Sequence, residues 1–250
     1  LVFQPAEENG GGGREMIKAG LMDEIPDACF ALHVENGIPG KIVVGSRYLT
    51  AYSNSYKITV HGKAAHSSTP EEGVDAVYIA ASIVTALHGI ISRNLSPMDR
   101  ATLNVGMIHG GTAPNIIADE VTLGVMLRNL SKESREAMMK KIETISNGIA
   151  ESMGGSCDLA FRAGYAAVYN DEKFSDFVAA TFRKYEDIIH VDLGDGKPED
   201  WLITGEHPLL GAEDFGFYSQ KAPSCMIWVG VGGNSPKHSP GFCIDERYIK

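Results

Sequence analysis

The 250-residue chain is poor in cysteine: only Cys29, Cys157, Cys225 and Cys243 occur, widely scattered and without a CxxC pair. That scarcity excludes the dense disulfide framework of small secreted domains, and the four thiols are expected to be reduced, which points to a cytoplasmic protein. Positive charge is also scarce, with 22 Lys and Arg against 32 Asp and Glu, a net charge of -10, and no clustered Lys/Arg stripe. The electrostatic footprint of a nucleic-acid binder is therefore missing, and neither DNA nor RNA is an expected partner. Long apolar runs are absent too. The stretch from Tyr78 to Ile91 carries Ser82, Thr85 and His88 and falls well short of the roughly 20 residues that cross a bilayer, so no membrane span is expected. There is no initiator Met, no signal-peptide pattern, no internal repeat and no low-complexity tract; Leu1-Val2-Phe3-Gln4 reads as a strand. The chain is expected to begin inside a domain, and its other end, Asp245 to Lys250, to start a helix that is cut short. What is present, 44% hydrophobic and 22% charged residues, is the composition of a globular protein able to bury at least one core.

Periodicity organises the middle of the chain. Ser55 to His61 alternates as a strand, Val74 to Ile91 follows helical spacing, and Ala101 to Ile108 is a strand ending in the turn His109-Gly110-Gly111. Glu120 to Leu127 is a further strand. Ser131 is placed as N-cap of a helix over Lys132 to Met153, which Gly154-Gly155 ends before the strand Cys157 to Arg162. The order βαββαβ is the ferredoxin-like signature, a four-stranded antiparallel sheet with both helices on one face. The flanks alternate strand and helix patterns, which predicts one α/β domain into which the ferredoxin-like domain is inserted. The expected boundaries are 1–52 and 169–250 for the α/β domain and 53–168 for the insert.

Candidate chemistry lies at strand ends in the flanks. Gln4-Pro5-Ala6-Glu7-Glu8 follows the first expected strand, where open α/β sheets place ligands. Adjacent carboxylates there repel unless a cation holds them; the alternative is a solvated acidic loop. The following Gly10-Gly11-Gly12-Gly13 could suggest a phosphate cradle, but no GxxxxGK pattern is present and the carboxylates oppose an anion. His33 lies near the end of a buried strand, Ala28 to Val34, and is either a ligand or a hydrogen-bonded core histidine. His238 lies on the loop after the strand Met226 to Val231. Glu8, His33 and His238 thus converge on the strand ends of one domain as an O/N set suited to zinc or manganese. His66, within Gly62-Lys63-Ala64-Ala65-His66, reads by position as a surface-loop histidine. No GxSxG elbow supports a serine nucleophile.

Taken in order, Leu1 to Glu8, Ala31-Leu32-His33-Val34, Gly62 to His66 with Asp75-Ala76-Val77, Ser92-Arg93, Gly110 to Asp119, Arg128, Ala212-Glu213-Asp214-Phe215 and His238-Ser239-Pro240 cover nearly the whole chain. This set resembles the M20 metallopeptidase superfamily, in its aminoacylase, hippurate-hydrolase and auxin-conjugate-hydrolase branch. The resemblance implies a zinc-peptidase-like α/β catalytic domain, here incomplete, with the inserted domain serving as lid and homodimer contact. It implies Glu7 as general base, Glu8, His33 and His238 as ligands of two divalent ions (Mn2+ or Zn2+, with Co2+ or Ni2+ as alternatives), and His66 reaching the partner subunit's active site. Asn115 and Arg128 would hold the substrate's carboxylate end. The implied reaction is hydrolysis of the amide bond of a small N-acyl amino acid or related peptidic substrate. The other class of reading is a catalytically inactive dimerising or binding module derived from such a hydrolase. Departures are Glu71 after Pro70, where the family usually has histidine, Ala118 in place of the family's proline, and the absence of the upstream Cys-Gly-His-Asp-Gly-His motif. An N-terminally truncated, impaired enzyme is therefore expected.

Overall fold

The computed structural model describes residues 1–8, 10–189, 200–233, 235 and 237–248. They form two compact units, one built from Leu1–Thr50 and Ala166–Lys250, the other from Ala51–Tyr165.

The first unit opens without its expected strand. Leu1, Val2 and Phe3 are 115, 52 and 87% exposed, and Leu1 to Gln4 joins no ladder. An apolar, β-prone sequence becomes a strand only where a neighbour supplies hydrogen bonds and a covering face, and here neither is present. Helix α1 (Gly12–Lys18) follows, then strands β1 (Cys29–Glu35), β2 (Ile42–Gly45) and β3 (Arg47–Tyr48). Only glycine fits at position 12, because a Cβ there would lie 1.7 Å from the Pro5 carbonyl oxygen.

The second unit runs β4 (Tyr52–His61), β5 (Ala65–His66), α2 (Ala76–Leu87), α3 (Gly89–Asn94), β6 (Ala101–Gly110), β7 (Ile116–Ile117), β8 (Glu120–Asn129), α4 (Lys132–Ser152) and β9 (Ser156–Ala163). Its main sheet has the order β6-β8-β4-β9, with every neighbour antiparallel. Alternation along β4 and β8 sends Ile58, Val60, Leu123, Val125 and Leu127 inward to meet Ile79, Ile83, Leu87, Met138 and Ile142 of the helices, all 0–2% exposed. Asp75 caps α2 by accepting from the Val77 and Tyr78 amides, and Ser131 caps α4 by accepting from Ser134. The single helix expected over Val74 to Ile91 is two, because the ladder ends at His88 and Gly89 resumes it as a short second piece.

The chain then returns to the first unit with β10 (Tyr169–Asn170), α5 (Glu172–Lys184), α6 (Glu186–Ile189), β11 (Leu202–Gly205), α7 (Gly216–Ser219) and β12 (Ser224–Gly230). The sheet order is β1-β12-β2-β11, parallel for β1 with β12 and for β2 with β11, and antiparallel where β12 meets β2. The fully buried Asn170 staples this sheet: its amide donates to the Gly45 and Met226 carbonyls, 2.8 Å each, and accepts from the Met226 amide at 2.8 Å. Strand β1 is an edge strand rather than a buried one, with Phe30 and Leu32 49 and 59% exposed. The helix expected from Asp245 is a 3-10 turn, Glu246–Tyr248; Ile249 and Lys250 lie outside the described residues.

Candidate metal centre

The segment Gln4 to Glu8 is held by a buried carboxylate. The Gln4 side-chain amide donates to both Asp214 oxygens at 2.8 Å, the Gly13 amide adds a third bond at 2.9 Å, and the Tyr218 hydroxyl donates to Gln4 Oε1 at 2.8 Å. The Gly13 amide in the first turn of α1 is thus directed at Asp214, and the glycine run allows that close approach rather than forming a phosphate cradle. Ala6 takes a left-handed backbone, φ +58°, immediately before the acidic pair.

Glu7, Glu213 and Asp214 each offer an oxygen within 4.8 Å of the others. Burial, then Asp214 and Glu8, push the Glu7 carboxyl above its ordinary value, with His238 acting in the opposite direction. Burial and Glu7 push Glu213 up to about 7. Carboxyl groups this close disfavour one another's ionisation in the absence of a cation, so Glu7 and Glu213 hold their protons to higher pH than isolated carboxyls do. Glu8 and His238 meet, with Oε1 to Nδ1 at 3.5 Å, both well exposed. His238 has φ +63°, a second left-handed position at the candidate site. His33 Nδ1 lies 2.6 Å from the Val34 carbonyl. A carbonyl only accepts, so this nitrogen carries the proton and Nε2 of the neutral ring keeps a lone pair, the arrangement that metal-binding histidines share. Glu7, Glu8, His33 and Glu213 line one cavity of about 870 Å³.

Glu8 therefore meets His238 and shares the cavity with His33, but the three donor atoms are not all within 4.8 Å of one another. The donor set fits a divalent cation: clustered carboxylates under mutual repulsion, plus an imidazole whose other nitrogen is already bonded. Sequence reasoning assigned no role to Glu213 and Asp214. The available signal was a second adjacent acidic pair, set between apolar Ala212 and Phe215.

In the second unit, His66 is exposed on β5, and the Ser68 amide donates to its Nδ1 at 3.2 Å. The neutral ring then carries its proton on Nε2 as an outward donor. Asn115 is exposed, and Arg128 lies on β8 opposite Ser53.

A mixed α/β unit that clusters Glu7, Glu213 and Asp214, pairs Glu8 with His238 and brings His33 to the same cavity, together with an antiparallel ferredoxin-like unit, has the make-up of a metallopeptidase-like scaffold. Residues 51–153 match the peptidase dimerisation domain of the M20 family. The whole chain is 30% identical to thermostable carboxypeptidase 2 of Saccharolobus solfataricus, covering 62% of that protein. It is 32% identical, again over its whole length, to N-acetyldiaminopimelate deacetylase of Streptococcus uberis, covering 64% of it. Among solved structures, a Bacillus subtilis protein described as a dinuclear metal binding peptidase from the M20 family superposes on 98% of the chain and 59% of its own, with a TM-score of 0.78 and 26% identity. Residues 51–153 thus carry an M20 peptidase dimerisation domain, and the chain as a whole is similar to M20-family hydrolases; it spans 62–64% of the length of these two curated relatives.

Proposed function

We propose that the chain carries out metal-dependent hydrolysis of the amide bond of an N-acyl amino acid, or of a related small peptidic substrate, with Glu7 as the general base. The observation that carries this reading is Glu7 itself. It is a carboxylate raised in pKa by burial and by Asp214, fixed beside Glu8, which in turn faces His238. When bound, a pair of divalent ions, Zn2+ or Mn2+, with Co2+ or Ni2+ also suited to this donor set, supplies Lewis acidity and an acidified water. Glu8, His33 and His238 hold them. Glu7 takes the proton of the attacking water on its carboxylate and passes it to the nitrogen of the leaving amine, a role that a raised carboxyl pKa favours near neutral pH. The Nε2–H of His66, contributed by a second subunit through the dimerisation domain, donates to the developing oxyanion. Asn115 and Arg128 hold the substrate's carboxylate, which suits the two-pronged guanidinium. Similarity to relatives named thermostable carboxypeptidase and N-acetyldiaminopimelate deacetylase supports this reading.

A second reading, a dimerising or binding module without turnover, is favoured by the spread of Glu8, His33 and His238 beyond 4.8 Å. One experiment separates the two. Glu7→Gln is expected to abolish hydrolysis of N-acetyl amino acids while bound metal stays at the wild-type level, and Glu8→Gln to lose metal and activity together. Full turnover by Glu7→Gln contradicts the base assignment. A wild-type protein that binds metal without turnover supports the second reading.

A further inference from the structure

We infer that Lys237 is a positioning residue for His238, clasping the loop that carries this histidine onto the end of β1; the inference rests on the metal reading proposed above. Lys237 Nζ donates to Glu35 Oε2 at 2.6 Å and lies 5.7 Å from the centre of the Trp228 ring. Glu35 is the last residue of β1, two past His33. Trp228 is the register partner of His33 across β1 and β12, and meets its imidazole edge-on with ring centres 5.1 Å apart. One ammonium group thus bonds the side chain two residues past His33 and lies over the ring paired with His33 across the sheet. A second tie lies next to it, the Asn36 side-chain amide donating to the Ser235 carbonyl at 2.6 Å.

The geometry requires such a tie. His238 follows Lys237 directly and holds a left-handed backbone, a conformation that persists in a side-chain-bearing residue when its surroundings fix it. His238 is itself well exposed and ion-pairs with Glu8 at 3.5 Å. The Lys237 and Glu35 side chains are 37 and 19% exposed. Ion pairs of that exposure add little to overall stability, so the effect of this one falls on where the loop sits. Glu35 also neutralises an ammonium that would otherwise stand unpaired one residue from a cation ligand.

The test uses the 250-residue protein titrated with Zn2+ by calorimetry and with Co2+ by visible absorption, next to thermal melting of each variant. Lys237→Met and Glu35→Gln are each expected to weaken the metal about tenfold, the lower end for lost outer partners of metal ligands. Their melting midpoints should remain within roughly 2 °C of wild type, as for a half-exposed pair. Lys237→Arg, and the exchange Glu35→Lys with Lys237→Glu, are expected to recover most of the affinity. Glu8→Gln and His238→Ala serve as references. If those two lose metal while Lys237→Met and Glu35→Gln bind as wild type does, the clasp is refuted and the metal reading stands. If affinity and melting fall together and neither Arg nor the exchange restores them, Lys237 is merely structural and the clasp is again refuted. If Glu8→Gln and His238→Ala bind normally, or the wild type shows no saturable binding, the metal reading falls and takes the clasp with it.

Discussion

Replacing Glu213 with Gln is expected to stabilise the metal-free protein above neutral pH. The Glu213 carboxyl is pushed up to about 7 from an ordinary 4.5, first by burial and then by Glu7. A group that holds its proton more tightly when folded than when unfolded makes the folded state lose stability as pH rises between those two values. The cost is absent below about pH 4.5, grows through pH 4.5 to 7, and is constant above. At 1.36 kcal/mol for each pH unit, it reaches about 3 kcal/mol at the upper end of that window. Gln keeps the acceptor for the Phe215 amide, now 3.3 Å from Glu213 Oε1, and removes the charge. Melting followed by circular dichroism in a chelator, at intervals from pH 4.5 to 8, gives the difference between variant and wild type, in which titrations common to both cancel. That difference should be close to zero at the acid end and favour the variant by about 2–3 kcal/mol at pH 8, roughly 5–10 °C for a unit of this size. A difference that does not vary with pH, or a variant less stable at pH 8, refutes the reasoning.

Gly12→Ala places a Cβ against the Pro5 carbonyl oxygen, 1.7 Å away, and should cost about 1–3 kcal/mol, as overpacking does; it should also displace Gln4 to Glu8, readable as lost metal affinity beside the lower melting point. Asn170→Ala strips three hydrogen bonds from the centre of the first unit's sheet and should destabilise by about 2–4 kcal/mol, because buried carbonyls and an amide are left unpaired; denaturant unfolding measures this.

The second unit was largely legible because each of its elements has one strong local signal. Period-two alternation marks β4 and β8, Ser131 caps α4, and Gly154 stops it with φ +81°. The exception is His88, where a continuous apolar helical pattern conceals a break that only hydrogen bonding reveals. In the first unit local pattern misleads. Leu1 to Gln4 and β1 are both apolar and β-prone, yet Leu1 to Gln4 forms no strand and β1 lies at the sheet edge, because pairing is decided by partners distant in sequence. The candidate site divides the same way. Glu7, Glu8, His33 and His238 announce themselves by chemical type, at positions the sequence pattern reads as near strand ends. The roles of Asp214, which anchors Gln4 from 210 positions away, and of Glu213, whose carboxyl is pushed up by burial and by Glu7, become visible only when the chain is folded.

The most direct test of the central claim is anomalous diffraction at the zinc absorption edge from crystals of this protein grown with Zn2+. The account predicts difference peaks bonded to Glu8, to His238 and to Nε2 of His33, with Glu7 close by but not directly coordinated. Peaks confined to Glu7, Glu213 and Asp214, or none at any of these side chains, would contradict it.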